Sequence, residues 1–213
     1  RRGIMLHCYK WIRPTLFVCL LAATPAKADP GTARAAAEQG AQTILGLLND
    51  PAFKNPTTHA AQRQKIEDAI LELFDFEEFS TRTVGPQWRQ FTPDQKKRFQ
   101  TAFTDLLRNT YIDTLDSYNG EQIQFTGEVS SNNGTRVEIQ MNFLGQNKTY
   151  PVAFRMLVKN DRWVVYDVII EGISMIKNYR DQFRDILGKG NPEELIKRVQ
   201  AKAQEQMAKP KAR

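Results

Sequence analysis

From Ile123 to Ile170 the chain alternates apolar and polar residues with a period of two, in four runs separated by turn residues. No other feature limits its fold as strongly. Ile123, Phe125 and Val129 mark the first run, and Val137, Ile139, Met141 and Phe143 alternate with Glu138, Gln140 and Asn142 in the second. Successive side chains of a strand point to opposite faces, so these runs predict strands with one apolar and one wet face. Asn133-Gly134 between them is the dipeptide of a tight hairpin turn. A third strand carries Val152, Phe154, Met156 and Val158 and stops at Asn160-Asp161. The fourth runs from Trp163 to Ile170, with Val164, Tyr166, Val168 and Ile170 on one face and Trp163, Val165, Asp167 and Ile169 on the other. Short connections and one-sided alternation predict an antiparallel sheet with a strongly apolar face.

Helical patterns flank this sheet on both sides in the sequence, which makes the fold class α+β. An Ala-rich helix over 32–49 ends at Asn49-Asp50-Pro51, and a second over 59–74 repeats Ile66, Ile70, Leu73 and Phe74 at helical spacing. Residues 75–91 read as an irregular aromatic segment with Phe76, Phe79, Trp88 and Phe91. The longest helix starts at Thr92-Pro93-Asp94-Gln95, where Thr92 caps, Pro93 suits the first turn and Gln95 reaches back. Its apolar face holds Phe99, Phe103, Leu106, Leu107, Thr110, Tyr111 and Leu115. After Glu171-Gly172 comes a helix to about Leu187 with Ile173, Ile176, Tyr179 and Phe183 inward, then a last helix from Asn191-Pro192-Glu193-Glu194 into a basic tail.

The first 28 residues read as a cleaved secretory signal. Arg1, Arg2, Lys10 and Arg13 give a positive start, Pro14 to Ala23 give about ten apolar residues, and Ala26-Lys27-Ala28 offers a cleavage site before Asp29. An apolar run of this length is about half of the ~20 residues a membrane-crossing helix needs. The expected organisation is a signal at 1–28, one α+β domain at 29–196 and a basic helix end and tail at 197–213. The expected location is the periplasm. Without the signal, 25 basic residues face 24 acidic ones, and over 29–196 the balance is 19 to 23. The body is therefore mildly acidic, and the pI of about 9.3 comes from the two ends. This argues against a nucleic-acid partner, which wants a basic face on the fold itself. Both cysteines, Cys8 and Cys19, fall in the signal, so the domain must rely on its core and not on disulfides.

The catalytic inventory is thin. Past the signal there is one histidine, His59, at the mouth of a helix, so neither a nucleophilic triad nor a zinc site has its usual partners. No glycine-rich phosphate loop is present. Asp167, which interrupts an apolar strand, and Glu171, which ends it, are the acid–base candidates. The competing reading is structural: each caps a helix or pairs with an arginine such as Arg155. No metal or cofactor is expected. Twelve Phe, six Tyr and three Trp leave open whether the apolar face packs as core or lines a cavity.

Phe74-Asp75-Phe76 with Phe79, Val84-Gly85 before Trp88, Phe91-Thr92-Pro93 followed by Phe99 and Phe103, and above all Trp163-x-Val165-Tyr166-Asp167-Val168 running into Glu171-Gly172-Ile173-Ser174 resemble the periplasmic phospholipid carriers of the maintenance-of-lipid-asymmetry pathway, the MlaC or toluene-tolerance family. The resemblance covers about 36–200. It implies a curved four-stranded antiparallel sheet with helices packed over its apolar face, enclosing a pocket for acyl chains while the headgroup stays in water. It implies a phospholipid ligand and no catalysis. The implied partners are an inner-membrane ABC transporter complex with its periplasmic lipid-binding subunit and an outer-membrane lipoprotein–porin complex. On this reading the pocket takes Phe103, Leu107 and Tyr111 from the long helix, and Phe125, Ile139, Met141, Phe154, Met156, Tyr166 and Val168 from the sheet, with Ile173 and Ile176 after it. The alternatives are an enzyme using Asp167 or Glu171 on a hydrophobic substrate, and a periplasmic adaptor that binds only proteins.

Overall fold

The computed structural model describes residues 30–208. The expected signal and the last five residues of the tail lie outside them. Helix α1 (Pro30–Asn49) is followed by the single turn α2 (Pro51–Lys54), α3 (His59–Leu73) and α4 (Phe76–Val84), then by a 3₁₀ segment over Gly85–Gln90 and the long α5 (Pro93–Leu115). Strands β1 (Gln122–Ser131), β2 (Arg136–Leu144), β3 (Thr149–Lys159) and β4 (Arg162–Ile170) come next, then a two-residue β5 (Ile173–Ser174), α6 (Met175–Lys189) and α7 (Pro192–Ala208).

The sheet is a plain antiparallel meander in the order β1-β2-β3-β4-β5, so it has five strands where the alternation predicts four. The fifth is too short to show a pattern. Three of its turns use residues with positive φ: Asn133 and Gly134, Asn160 and Asp161, and Glu171 and Gly172. Paired left-handed residues are what tight hairpins require, because that turn matches the strand twist.

Two bulges break the alternation. Phe125 pairs with Met141 but Gly127 with Gln140, so Thr126 is an extra residue; Arg155 pairs with Asp167 but Met156 with Val165, so Tyr166 is another. A bulge shifts every later side chain to the opposite face. Val129, expected on the apolar face, therefore pairs with Glu138 and is exposed. On β4, Trp163 and Val165 join Val168 and Ile170 on the apolar face, while Val164 pairs with Leu157 on the other and Tyr166 leaves the face altogether.

The segment expected to be irregular forms α4. Asp75 is its N-cap, its Oδ1 accepting from the Glu78 N–H at 3.0 Å; Glu77 and Glu78 sit in the first turn, and Arg82 bonds Glu78 one turn on. These are the usual stabilisers of a helix start. The long helix opens as expected, with Thr92 N–H donating to Gln95 Oε1 at 3.0 Å and Gln95 N–H donating to Thr92 Oγ1 at 3.2 Å. Helix α7 runs unbroken across residue 196, and Val199 and Ala203 are buried where it packs along α5. At its start Arg98 grips Glu193 with two bonds of 2.6 and 2.7 Å, which hold that carboxyl down to about 2 from an ordinary 4.5.

The interior falls into two main apolar clusters. One joins α4, α5, α6 and α7 through Phe79, Phe99, Phe103, Tyr179, Phe183 and Leu195, with Tyr166 reaching in from the β4 bulge. The other lies on the apolar face of the sheet, where Val137, Ile139, Met141, Met156, Trp163, Val165 and Val168 pack under Ala33 and Ala37 of α1. Helix α1 touches all four long strands, whereas the long helix α5 packs chiefly against α7 and α4. The cover of the apolar face is thus the Ala-rich helix, contrary to the expectation that the longest helix supplies it.

Candidate functional site

The hairpin registers arrange the apolar face in rows across the strands. Val137, Met156 and Val165 form one, and Ile139, Phe154 and Val168 the next; Met141, Val152, Ile170 and Ile173 follow, and Ile123, Phe143 and Tyr150 lie at the far end. The first two rows and Met141 of the third are buried or nearly so at their centre, and the exposed residues lie at the far end and its β4–β5 corner. Val137, Ile139, Met156 and Val165 are buried, whereas Ile170 is 38% exposed, Tyr150 40% and Ile173 63%. One continuous apolar surface therefore starts under α1 and runs out into solvent at the end of the sheet that carries the β2–β3 loop and the β4–β5 turn. Clustered exposed aliphatic and aromatic side chains of this kind mark a surface meant to meet something apolar.

The charged groups at that open end form a pair. Lys148 Nζ lies 2.7 Å from Glu171 Oε1 and 4.5 Å above the centre of the Tyr150 ring. The bond from Glu171 raises the lysine pKa. Deeper along the sheet, on its other face, Asp167 is buried and saturated with donors. Ser174 Oγ donates to Oδ2 at 2.6 Å, the Ile176 N–H to Oδ1 at 3.0 Å, and Arg155 Nη1 reaches Oδ2 at 3.3 Å. Asp167 thus ties the start of α6 to the sheet and also pairs with Arg155. Its oxygens are committed to holding the fold, which is the structural reading of this residue. Glu171 occupies a left-handed turn position (φ 49°) and pairs with Lys148.

His59 sits at the surface start of α3, 3.2 Å from Asp116 and with its ring tilted against Phe53 at 5.0 Å. Among the described residues no three His, Cys, Asp or Glu side chains come together as metal ligands, and no helix is long and apolar enough to cross a membrane. A cleft of about 590 Å³ between α5 and α7, away from the apolar sheet face, mixes Asp94, Lys97 and Arg108 with Ala102, Ala203 and Met207.

The residues singled out from the sequence fall into three places. Phe125, Ile139, Met141, Phe154, Met156 and Val168 share the sheet face. Phe103, Leu107, Tyr166 and Ile176 belong to the helical cluster instead, with the Arg82 guanidinium 4.4 Å over the Tyr166 ring. Tyr111 is 40% exposed and bonds the Tyr179 phenol, whose pKa burial pushes up. Ile173, expected to point inward from a helix, is the exposed end of β5, because the Glu171-Gly172 turn makes a hairpin before α6 can begin at Met175. Sequence reasoning missed Ala33 and Ala37 as the cover and Tyr150 as part of the face, and it left Phe143, Val152 and Ile170, which the alternation places on the apolar strand faces, out of the pocket. Tyr150 was recoverable from the register that tight turns impose, since it pairs with Phe143; the alanines carried no signal beyond helix propensity.

An open antiparallel meander with helices on both of its faces, and an apolar sheet face partly covered by a small-residue helix and exposed at one end, define an α+β protein. The model of the MlaC protein family matches residues 38–201, and the chain belongs to that family. Over 145 residues it is 23% identical to the intermembrane phospholipid transport system binding protein MlaC of Haemophilus influenzae, a match spanning 66% of this chain and 68% of the relative. It is 34% identical over 100 residues to the toluene tolerance protein ttg2D of Pseudomonas putida, which is 46% of either chain. A solved phospholipid-binding protein from Ralstonia solanacearum, determined in complex with a phospholipid, shares the fold at a TM-score of 0.73 and 21% identity, covering 82% of this chain and 98% of that one.

Proposed function

We propose that this chain is a periplasmic phospholipid carrier whose acyl chains lie along the apolar sheet face. The observation that carries this reading is the gradient of exposure from Met156 and Ile139 under α1 to Ile170, Tyr150 and Ile173 in solvent. Family membership and the phospholipid named for its relatives support it. A buried face with one open end suits a ligand that is apolar along its length and polar at its tip.

Magnitudes favour a carrier over a catalyst. Two acyl chains hold roughly 30 methylenes, each worth about 0.8 kcal/mol on leaving water, so on the order of 25 kcal/mol keeps a lipid out of solution. A bilayer offers the same gain, so transfer between bilayer and protein lies near balance, and the protein needs an apolar face and a sealed hand-over more than it needs reactive groups. Asp167, engaged by three donors, is not available as a base. The hand-over partners proposed are an inner-membrane ABC transporter complex with its lipid-binding subunit and an outer-membrane lipoprotein–porin complex.

Native mass spectrometry with lipid extraction tests this. Protein purified gently from a bacterial envelope should carry diacyl phospholipid. Protein that is empty after such handling, and stays empty when offered phospholipid vesicles, removes the carrier reading and leaves the protein-binding adaptor.

A further inference from the structure

At the uncovered end of the sheet face, the β2–β3 loop and the β4–β5 turn each contribute one charge to a pair that borders the exposed apolar rim. Lys148 and Glu171 meet at 2.7 Å while both remain about half exposed, at 55% and 49% of their side-chain surface. Their placement is fixed by backbone. The Glu171 N–H donates to Pro151 O at 2.9 Å, and Glu171 and Gly172 hold left-handed conformations that aim the turn toward the neighbouring loop. Ile170 and Ile173 flank the same turn, and Tyr150 lies under Lys148. An exposed ion pair gains little from its own contact, so it can exchange partners at low cost.

Resting on the carrier reading, we propose that Lys148 and Glu171 cradle the zwitterionic headgroup of an aminophospholipid, the ammonium of Lys148 taking the phosphate and the carboxylate of Glu171 taking the lipid amine. A lipid whose chains run inward from Ile170 and Ile173 has its glycerophosphate at this turn. A zwitterion satisfies both protein charges, and each of its own charges finds an opposite. An anionic headgroup such as phosphoglycerol gains Lys148 but leaves Glu171 facing its negative charge, so the same pair that attracts one class disfavours the other. Placing the charges on two separate turns, beyond the apolar rim, keeps them in water until the headgroup arrives.

The test uses the full chain, exported and purified from a bacterial envelope, stripped of lipid and offered vesicles of equal parts phosphatidylethanolamine and phosphatidylglycerol; bound lipid is then extracted and its ratio measured. The wild type should favour phosphatidylethanolamine by about three- to fivefold, the scale of one exposed charge contact. Glu171→Lys should move the ratio toward phosphatidylglycerol, and the double variant Lys148→Glu with Glu171→Lys, which restores one charge of each sign, should bring the preference back. A wild-type ratio equal to that of the vesicles overturns the cradle, as does a ratio that Glu171→Lys leaves unchanged. Uptake of neither lipid by the wild type overturns the carrier reading itself, and the two failures are distinguished by whether any phospholipid is bound.

Discussion

Asp167→Asn separates a structural carboxylate from a reactive one. The residue is 1% exposed, and its side chain receives the Ser174 hydroxyl at 2.6 Å, the Ile176 amide at 3.0 Å and Arg155 at 3.3 Å. Asparagine keeps the volume and one carbonyl acceptor for Ile176, but it removes the charge from all three bonds and turns an NH₂ toward both Arg155, whose bond is lost, and Ser174, whose hydroxyl must turn to accept. Hydrogen bonds to a charged group contribute about 1.5–3 kcal/mol and neutral ones about 0.5–1.5. Two bonds weakened and one lost therefore cost about 2–4 kcal/mol. Arg155 keeps Glu138 at 3.1 Å, so the total stays below what a fully orphaned buried partner costs, about 3–5 kcal/mol. For a domain of this size that is a fall in Tm of roughly 5–15 °C. Urea and thermal unfolding of the lipid-free protein measure it, and phospholipid uptake at a temperature where the variant is folded should match the wild type. A variant within about 0.5 kcal/mol of wild type, the range of an ordinary surface change, refutes the argument. A stable, lipid-loaded variant that has lost a hydrolytic or isomerase activity would return Asp167 to the acid–base role.

Ile173→Asp should leave apo stability within about 0.5 kcal/mol, since the side chain is already mostly in water, yet sharply lower the phospholipid that co-purifies; unchanged lipid content by mass spectrometry detaches the open end of the sheet from the ligand. Because Arg98 holds the Glu193 carboxyl at about 2 against an ordinary 4.5, its stabilisation is present above pH 4.5 and drains away as pH falls toward 2. The urea midpoint should therefore drop more between pH 5 and pH 3 in the wild type than in Arg98→Met, for which that pair is absent; equal drops refute the assignment. Thr92→Ala removes half of a reciprocal cap and should cost about 1 kcal/mol, read as a shifted midpoint with an unchanged denaturant slope.

Local rules recovered much of this molecule. The hairpin at Asn133-Gly134, the cap at Thr92 and the two structural options for Asp167 follow from residue chemistry within a few positions, and each is present. What escaped depends on distant contacts. The bulge at Tyr166 trades a strand pairing for a ring buried among α5 and α6 residues, and nothing in Val164-Val165-Tyr166-Asp167 states that the alternation slips there. The α4 helix was legible in principle from Asp75 and Glu78 at capping spacing, but its aromatic residues masked the cue. Whether Met156 lines a cavity or fills a core is not a property of its strand at all. It depends on α1, which lies more than a hundred residues earlier and whose Ala33 and Ala37 pack into the same cluster as Met156, itself fully buried.

The chain order of these parts sets a folding sequence. Every strand pairs with its neighbour in sequence, so the meander of β1 to β5 closes through short loops and forms quickly. Its cover must bridge a far longer loop: Ala33 and Ala37 precede the strands they shield by roughly 100 to 130 residues, a closure that costs more entropy and is repaid by small side chains. Pulsed hydrogen exchange should therefore find the hairpin amides of β2 and β3 protected before those of α1. In that interval Ile139, Met141 and Met156 stand open to water, and a half-folded molecule of this kind presents to its surroundings the greasy sheet that the finished one keeps under α1.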